Sequence, residues 1–217
     1  MSILVNLLLL IEKIVNYSKI DIDKGNTPPI IYKICSCIRE TFCMSYSIRK
    51  SNCLYLYFQK EHIIIKFVGK SLRFLGPDER SQALLLEKIL HKMQEDINFK
   101  NGQWIKSTLG IYGRRFSFDA EFIDYYTSIS NGKTYFILAD TLNVELELEV
   151  QNLEENFPLI EENDFFIITT YDSVRKNKNI FNLFKELKNV KVSSLPNIES
   201  IGDKILYINF RKDQQNS

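Results

Sequence analysis

The order of apolar and polar positions along the chain predicts strands that alternate with helices. Continuous apolar runs with the length and composition of buried strands occupy residues 53–58, 62–68, 134–140, 164–170 and 205–210. Apolar residues recur at helical spacing in residues 30–50, 77–97, 119–130 and 177–189. Apolar strands that alternate with helices indicate an α/β fold, in which helices cover both faces of a mostly parallel sheet.

Two segments differ from this alternation. Residues 53–58 and 62–68 are close enough along the chain to form a hairpin. Residues 98–115 are polar and punctuated by glycine, which predicts a loop or a short irregular element. A chain of 217 residues, 45% of them hydrophobic, can bury one core, so we predict a single domain over residues 1–217.

The charged residues are unevenly divided, although the formal net charge is only +1. Residues 1–118 hold 18 Lys and Arg against 10 Asp and Glu, whereas residues 119–217 hold 10 against 17. A positive field concentrated on one part of a protein favours an anionic partner such as RNA. Chance clustering of basic residues is the alternative explanation.

The cysteines and histidines argue against a metal site. The four cysteines, at positions 35, 37, 43 and 53, have the spacing of neither paired zinc ligands nor a secreted disulfide scaffold. We therefore expect free thiols in a reducing, cytoplasmic compartment. The apolar start of the chain lacks a basic leader and is interrupted by Glu12 and Lys13, so we expect neither a signal peptide nor a membrane span.

Two short stretches are the candidates for chemistry, because no Walker A loop, G-x-G-x-x-G motif or G-x-S-x-G motif occurs. The first, GPDER, places Asp78 and Arg80 at the start of a helix. The second, LGIYGRR, places Arg114 and Arg115 after a turn that contains glycine. Two interpretations remain open. The charges cap a helix and keep the protein soluble, or they form a site for a polyanion with a reactive base.

In this order, the stretches IKFVG, PDERS and STLGIYGRRF resemble the archaeal TrmY family, the tRNA pseudouridine N1-methyltransferases of the SPOUT class. The earlier segment ICSCIRETFCMSYSIRK is similar to the same family. The resemblance is dense over about residues 30–118 and continues more weakly through TYFIL, FFIITT and VSSLPNIES. It implies a homodimer that binds S-adenosylmethionine and methylates N1 of the pseudouridine at position 54 in the T-loop of tRNA.

The resemblance also implies a fold and a set of roles. The sheet would end in a C-terminal trefoil knot, with strands near 134–139, 164–169 and 205–210 paired in parallel. About residues 30–118 would face the RNA. There, Asp78 would accept the N1 proton and Arg80 would steady the charge that develops. Phosphates would be held by Arg49, Arg114 and Arg115.

About residues 134–210 would bind the cofactor, and here the chain departs from the family. The implied cofactor-binding residues are Leu138, Thr169, Ser194, Leu195, Pro196, Asn197, Ile198, Glu199 and Lys204. Thr169 stands where the family has a glycine, and Lys204 stands near the place of a small cysteine. The close ligand approach that a bare glycine backbone allows is therefore lost.

Three functions remain open at this point. The first is a methyltransferase with a diverged cofactor pocket. The second is a tRNA-binding relative that has lost the cofactor. The third is a protein-interaction module that uses the acidic stretch at residues 141–162.

Overall fold

The computed structural model describes residues 4–45, 47–95, 102–138, 149–170 and 178–215. Within these ranges the strands are β1 (Val5–Ile11), β2 (Asn52–Phe58), β3 (Ile63–Val68), β4 (Trp104–Lys106), β5 (Ile111–Arg115), β6 (Thr134–Ile137), β7 (Gln151–Asn152), β8 (Phe165–Thr169) and β9 (Val190–Ser194). The helices are α1 (Lys19–Asp23), α2 (Pro29–Phe42), α3 (Glu79–Glu95), α4 (Asp119–Ile129), α5 (Lys178–Lys185) and α6 (Ile201–Gln215).

The described strands form one mixed sheet in the order β4-β5-β3-β2-β1-β8-β6-β9-β7. The strands from β2 to β7 in this order run parallel to one another. On the other side of β2, strands β3, β5 and β4 continue the sheet in antiparallel fashion. The predicted α/β fold with a mostly parallel sheet is confirmed, and so is the hairpin of β2 and β3.

Strand β1 supplies side chains to both faces of the sheet, because successive residues of a strand point to opposite sides. Leu7 and Leu9 lie in a core with residues of α2, α3 and α6, whereas Leu8 and Leu10 lie in a second core with residues of α4 and α5. All seven residues of β1 are buried. The continuous apolar run of β1 is thus explained by helices on both faces.

The C-terminal segment corrects one prediction. Residues 205–210 are predicted as a strand, but they lie within helix α6. Ile205 and Ile208 are buried, whereas Leu206 and Phe210 are exposed, which is the spacing of a helix with one buried side. Strand β9 takes the predicted place beside β6 in the parallel sheet. A run of six mostly apolar residues fits either structure, because it is too short to fix the period.

A second correction concerns residues 102–115, the described part of the segment predicted to be irregular. They form the antiparallel strands β4 and β5, joined by a turn in which Gly110 has φ +85°. These strands are polar because β4 lies at the edge of the sheet, so local composition did not reveal them. The predicted helix over residues 30–50 is shorter than expected and ends at Phe42.

All four cysteines are free thiols, as predicted, and three of them are buried. Burial raises the pKa of the Cys35 thiol to about 12. At neutral pH this side chain is therefore a protonated core residue.

A buried polar network joins α6 to the start of β2. Lys212 is buried, and its Nζ donates to Ser51 Oγ at 2.9 Å and to Asn52 Oδ1 at 2.8 Å. The Asn52 amide in turn donates to Asn209 Oδ1 at 2.8 Å. Burial, and to a smaller extent the nearby Arg49 guanidinium, lower the pKa of Lys212 from its usual 10.5 to about 8, although the Asp213 carboxylate acts in the opposite direction.

We predict that Lys212 makes the free energy of unfolding rise with pH between about 8 and 10.5. In this window the unfolded chain still binds the lysine proton and the folded protein has released it, so a higher pH favours the folded state. The Lys212→Gln variant has no titrating group at this position. Its free energy of unfolding, measured by urea denaturation at several pH values, should therefore rise less with pH than that of the wild type. An unchanged slope would contradict the assignment.

Candidate functional site

The carboxyl ends of β8, β6 and β9 meet at one edge of the sheet, and the implied cofactor-binding residues lie there. Ile137 of β6 pairs with Ile168 of β8 and with Ser193 of β9. One residue further on, the Leu138 amide donates to the Ser193 carbonyl at 3.0 Å, and Thr169 ends β8. Ligands of open parallel sheets bind outside the carboxyl ends of the strands. We call this region the carboxyl edge.

Two buried polar side chains lie at the carboxyl edge. Lys204, in the first turn of α6, is only 4% exposed, and its Nζ donates to the Leu138 carbonyl at 3.4 Å. Thr169 is fully buried, and its Oγ1 makes no hydrogen bond to any described residue. A buried hydroxyl without a partner costs free energy. No described residue therefore compensates the burial of the Thr169 hydroxyl.

The loop after β9 is fixed by hydrogen bonds within the chain. Leu195 is buried in the core, and the Ile198 amide donates to its carbonyl at 3.2 Å. Asn197 is held by Glu154, whose two carboxylate oxygens accept from its backbone amide at 2.9 Å and from its Nδ2 at 2.6 Å. Pro196 and Glu199 are exposed. Glu154 was not among the predicted site residues, because only the tertiary fold brings it to this loop.

Asp78 caps helix α3. Its Oδ1 accepts from the backbone amide of Ser81 at 2.8 Å, which is the hydrogen bond that an N-cap residue makes. The Ser81 hydroxyl accepts from the Gly76 amide at 3.1 Å and closes the turn. Hydrogen bonding to Ser81 holds the pKa of Asp78 below its usual range. The exposed carboxylate is therefore ionised at neutral pH and accepts hydrogen bonds.

Arg80 is directed toward α1 and away from the Asp78 carboxylate. Its Nε and Nη2 donate to Asp23 Oδ1 at 3.1 and 2.7 Å. Hydrogen bonds from Lys19 and Arg80 hold the pKa of Asp23 below its usual range. Both partners of this ion pair are exposed, and such pairs contribute little to stability. Arg80 can therefore exchange its partner at small cost.

Arg114 and Arg115 lie on opposite faces of the sheet, because they are successive residues of β5. Arg115 Nη2 donates to the Met93 carbonyl of α3 at 2.7 Å. The Arg114 guanidinium lies on the α4 side, 4.8 Å from the ring centroid of Phe116 and 4.9 Å from that of Tyr125. The two side chains consequently do not form a joint surface.

Arg49 lies at the other end of the same strands. It precedes β2, and its Nη1 lies 2.8 Å from Oδ1 and 2.7 Å from Oδ2 of Asp213 on α6. Arg115 pairs with Ile63, the first residue of β3. Arg49 lies near Gly69, just after the last residue of β3. At 3.3 Å per residue, the two arginines are separated by roughly 17 Å along the sheet. Arg49 and the β5 arginines thus do not form one continuous cluster.

The N-terminus of α3, where Asp78 lies, and the carboxyl edge are also far apart in this chain. Cys43, which follows α2 and precedes β2, donates through Sγ to the Gly76 carbonyl at 3.8 Å. Asp78 therefore lies near the amino ends of β1 and β2. Leu138 and Thr169 lie beyond the carboxyl ends of the neighbouring strands. The strands between them are five to seven residues long.

Comparison with known proteins identifies the family. Residues 31–199 match the family described as "Putative SAM-dependent RNA methyltransferase". The chain belongs to this family. Within the described residues of this family member, no group of three or more His, Cys, Asp or Glu side chains is placed to hold a metal ion. No described helix is long and apolar enough to cross a membrane.

Several curated relatives carry the name tRNA (pseudouridine(54)-N(1))-methyltransferase. The protein of Methanocaldococcus jannaschii is 32% identical over 141 residues, which cover 62% of this chain and 67% of the relative. That of Methanococcus aeolicus is 29% identical over 168 residues, 75% of this chain and 74% of the relative. That of Methanococcus maripaludis strain C6 is 33% identical over 109 residues, so the match spans about half of each chain.

The Met93 contact predicts a structural role for Arg115 in this methyltransferase family member. Arg115→Ala should lower the free energy of unfolding by about 1–2 kcal/mol, because the variant loses a charged donor to a helix carbonyl. Urea denaturation measures the change, with the exposed Lys70→Ala as the control for loss of a basic side chain. Equal stability of the two variants would contradict this role.

Proposed function

We propose that this protein is an S-adenosylmethionine-dependent tRNA methyltransferase that methylates N1 of the pseudouridine at position 54 in the T-loop. The carboxyl edge carries the proposal. It gathers the implied cofactor-binding residues from β6, β8, β9 and α6 in a chain of a SAM-dependent RNA methyltransferase family. The names of the relatives support the substrate and the methylated atom.

The carboxyl edge has groups that fit the cofactor. The Thr169 hydroxyl is buried and lacks a partner among the described residues, and the loop at residues 194–199 continues from the end of β9 at the same edge. We propose that the buried ammonium of Lys204 pairs with the methionine carboxylate of S-adenosylmethionine. It would repel the positively charged sulfonium of the cofactor, so the sulfonium lies further away. When bound, S-adenosylmethionine supplies a methyl group activated by the charge on sulfur.

Asp78 is the proposed acceptor of the N1 proton. Its carboxylate is exposed and ionised, and it accepts one hydrogen bond through Oδ1. A carboxylate with a lowered pKa is a weak base, so it orients N1–H and takes the proton only as the ring nitrogen becomes more acidic during transfer. Arg80 can leave its exposed pair with Asp23 and donate to a ring carbonyl oxygen, where negative charge collects as the N1 proton passes to Asp78.

We propose that the active protein is a homodimer. Asp78 and the carboxyl edge are at opposite ends of the strands in one chain, so a site that needs both requires a second copy. Helix α6 supports this arrangement, because Leu206 and Phe210, one turn apart, are 46% and 55% exposed. Large exposed apolar side chains are typical of interfaces.

We also propose that the chain forms the trefoil knot within its single domain. Strands β6 and β7 follow one another along the chain, yet β9 lies between them in the sheet. A later strand that lies between two strands consecutive along the chain supports the proposal, because a knotted sheet has non-sequential strand neighbours of this kind.

A tRNA-binding relative without the cofactor is the second candidate function. Lys204 and Thr169 favour it, because both are larger or more polar than the residues usual in the family. A pocket occupied by these side chains would exclude the adenosine. One measurement distinguishes the two candidates. The methyltransferase should bind S-adenosylmethionine saturably, whereas the relative without the cofactor should not.

We predict that Asp78→Asn lowers the rate of methyl transfer at least 100-fold and leaves cofactor affinity unchanged, because the amide cannot take the N1 proton. Methyl incorporation is measured with a tRNA that carries pseudouridine at position 54 and, as a control, with the same tRNA carrying uridine. Asparagine is also a good N-cap, so helix α3 should be retained. Full activity of Asp78→Asn would refute the role of Asp78.

We predict that Thr169→Val weakens cofactor binding about 5- to 10-fold without loss of stability, because the removed hydroxyl has no partner in the described protein. Calorimetric titration and urea denaturation measure the two effects. Thr170→Val is the matched control, since the Thr170 hydroxyl donates to the Leu10 carbonyl at 2.9 Å. The control should lose stability and keep its affinity for the cofactor. No saturable binding by the wild type would favour the second candidate function.

A further inference from the structure

One face of the antiparallel part of the sheet carries alternating basic and aromatic side chains. Lys106 of β4 pairs with Tyr112 of β5, and Tyr112 pairs with Lys66 of β3. In the next row, Trp104 of β4 pairs with Arg114 of β5. Directly paired residues share a face of the sheet. We call these five residues, Lys66, Trp104, Lys106, Tyr112 and Arg114, the aromatic–basic face.

Helix α4 covers only one margin of this face. Arg114 stacks on Tyr125 of α4, and the Trp104 ring meets the Tyr125 ring at 5.8 Å, tilted by 65° rather than stacked. Trp104 nevertheless remains 38% exposed, and Lys106 is exposed. Lys66 and Tyr112 are half-buried. The face therefore offers both ring surface and positive charge to solvent.

Among the described residues, no carboxylate neutralises the positive charges of the face. Lys66, Lys106 and Arg114 make no ion pair with any carboxylate in the described parts of the chain. Arg114 Nε is buried and has no hydrogen-bond partner among the described residues. Basic side chains that only stabilise a surface are commonly paired with acidic neighbours. Here they are placed beside aromatic rings, which is the combination that binds single-stranded nucleic acid.

We propose that the aromatic–basic face binds a single-stranded loop of RNA, with an unstacked nucleobase on Trp104 and flanking phosphates on Lys66 and Lys106. A duplex offers no free base for such stacking, because its bases already stack on one another. A protein partner that adds a strand is disfavoured, since the edge strand β4 has only three residues. The inference rests on the proposed function in one respect, that the substrate is a tRNA.

Trp104 is the only tryptophan of the chain, so its fluorescence reports on this face alone. Titration of the full chain with a single-stranded T-loop oligonucleotide should quench the emission saturably. A duplex of the same sequence should bind more weakly and quench little. Trp104→Ala should weaken binding of the oligonucleotide about 10-fold, whereas Trp104→Phe should retain most of the affinity. Tyr32→Ala, at a residue with the same 38% exposure on α2, is the control and should bind normally.

The lysines are tested by salt dependence. The double variant Lys66→Gln/Lys106→Gln should reduce the slope of log K against log salt concentration by about 1.4, the value for two contacts to a single strand. The double variant Lys33→Gln/Lys191→Gln removes two exposed lysines elsewhere and should leave the slope unchanged. Equal slopes in both double variants would overturn the assignment of phosphates to Lys66 and Lys106.

The outcomes separate this inference from the proposed function. If the oligonucleotide binds without quenching Trp104 and Trp104→Ala keeps its affinity, the aromatic–basic face is overturned, even when the protein methylates tRNA. If the oligonucleotide quenches Trp104 but no methylated product forms, the face is supported and the proposed function fails. If no RNA binds, both are overturned.

Discussion

Burial of β1 on both faces is the constraint on which the remaining structure depends. A strand with seven consecutive buried residues cannot face water on either side, so helices must pack on both faces of the sheet. Strand β1 lies between β2 and β8 and runs parallel to both. Parallel neighbours require long connections across the faces, and these connections supply the covering helices. The two cores and the alignment of the carboxyl ends of the strands follow from this one arrangement.

That alignment also separates the two chemical regions of the protein. The carboxyl edge collects Thr169 and Lys204, whereas the N-terminus of α3 places Asp78 near the opposite ends of the strands. Each region is thus built by rigid elements, and a single chain does not join them. The antiparallel extension of β3, β5 and β4 adds a third surface beside α4, where rings and basic groups alternate. The proposed substrate contacts are therefore spread over the sheet.

Burying the polar groups at the carboxyl edge costs free energy of folding. The Thr169 hydroxyl lacks a partner among the described residues, and the Lys204 ammonium is buried and donates to the Leu138 carbonyl. Folded proteins tolerate such costs mainly where ligands are bound. Asp78 is different, because its carboxylate already stabilises the start of α3. One hydrogen bond explains its presence there, so the proposed proton transfer would be a second role for the same side chain.

The sequence by itself determined those elements whose local pattern fits only one kind of secondary structure. The apolar runs of β2, β3 and β8 are bounded by turns, and the helix of GPDER begins with its own cap, so local chemistry was sufficient. Tertiary structure decided the rest. Residues 205–210 became a helix because α6 buries one side against α2, and residues 102–115 became strands because β3 offered a free edge. The resemblance named the residues of the carboxyl edge, but only parallel pairing could bring them together. Likewise, Arg114 and Arg115 are adjacent in sequence and separated in space, because the pleat of a strand sends successive side chains to opposite faces.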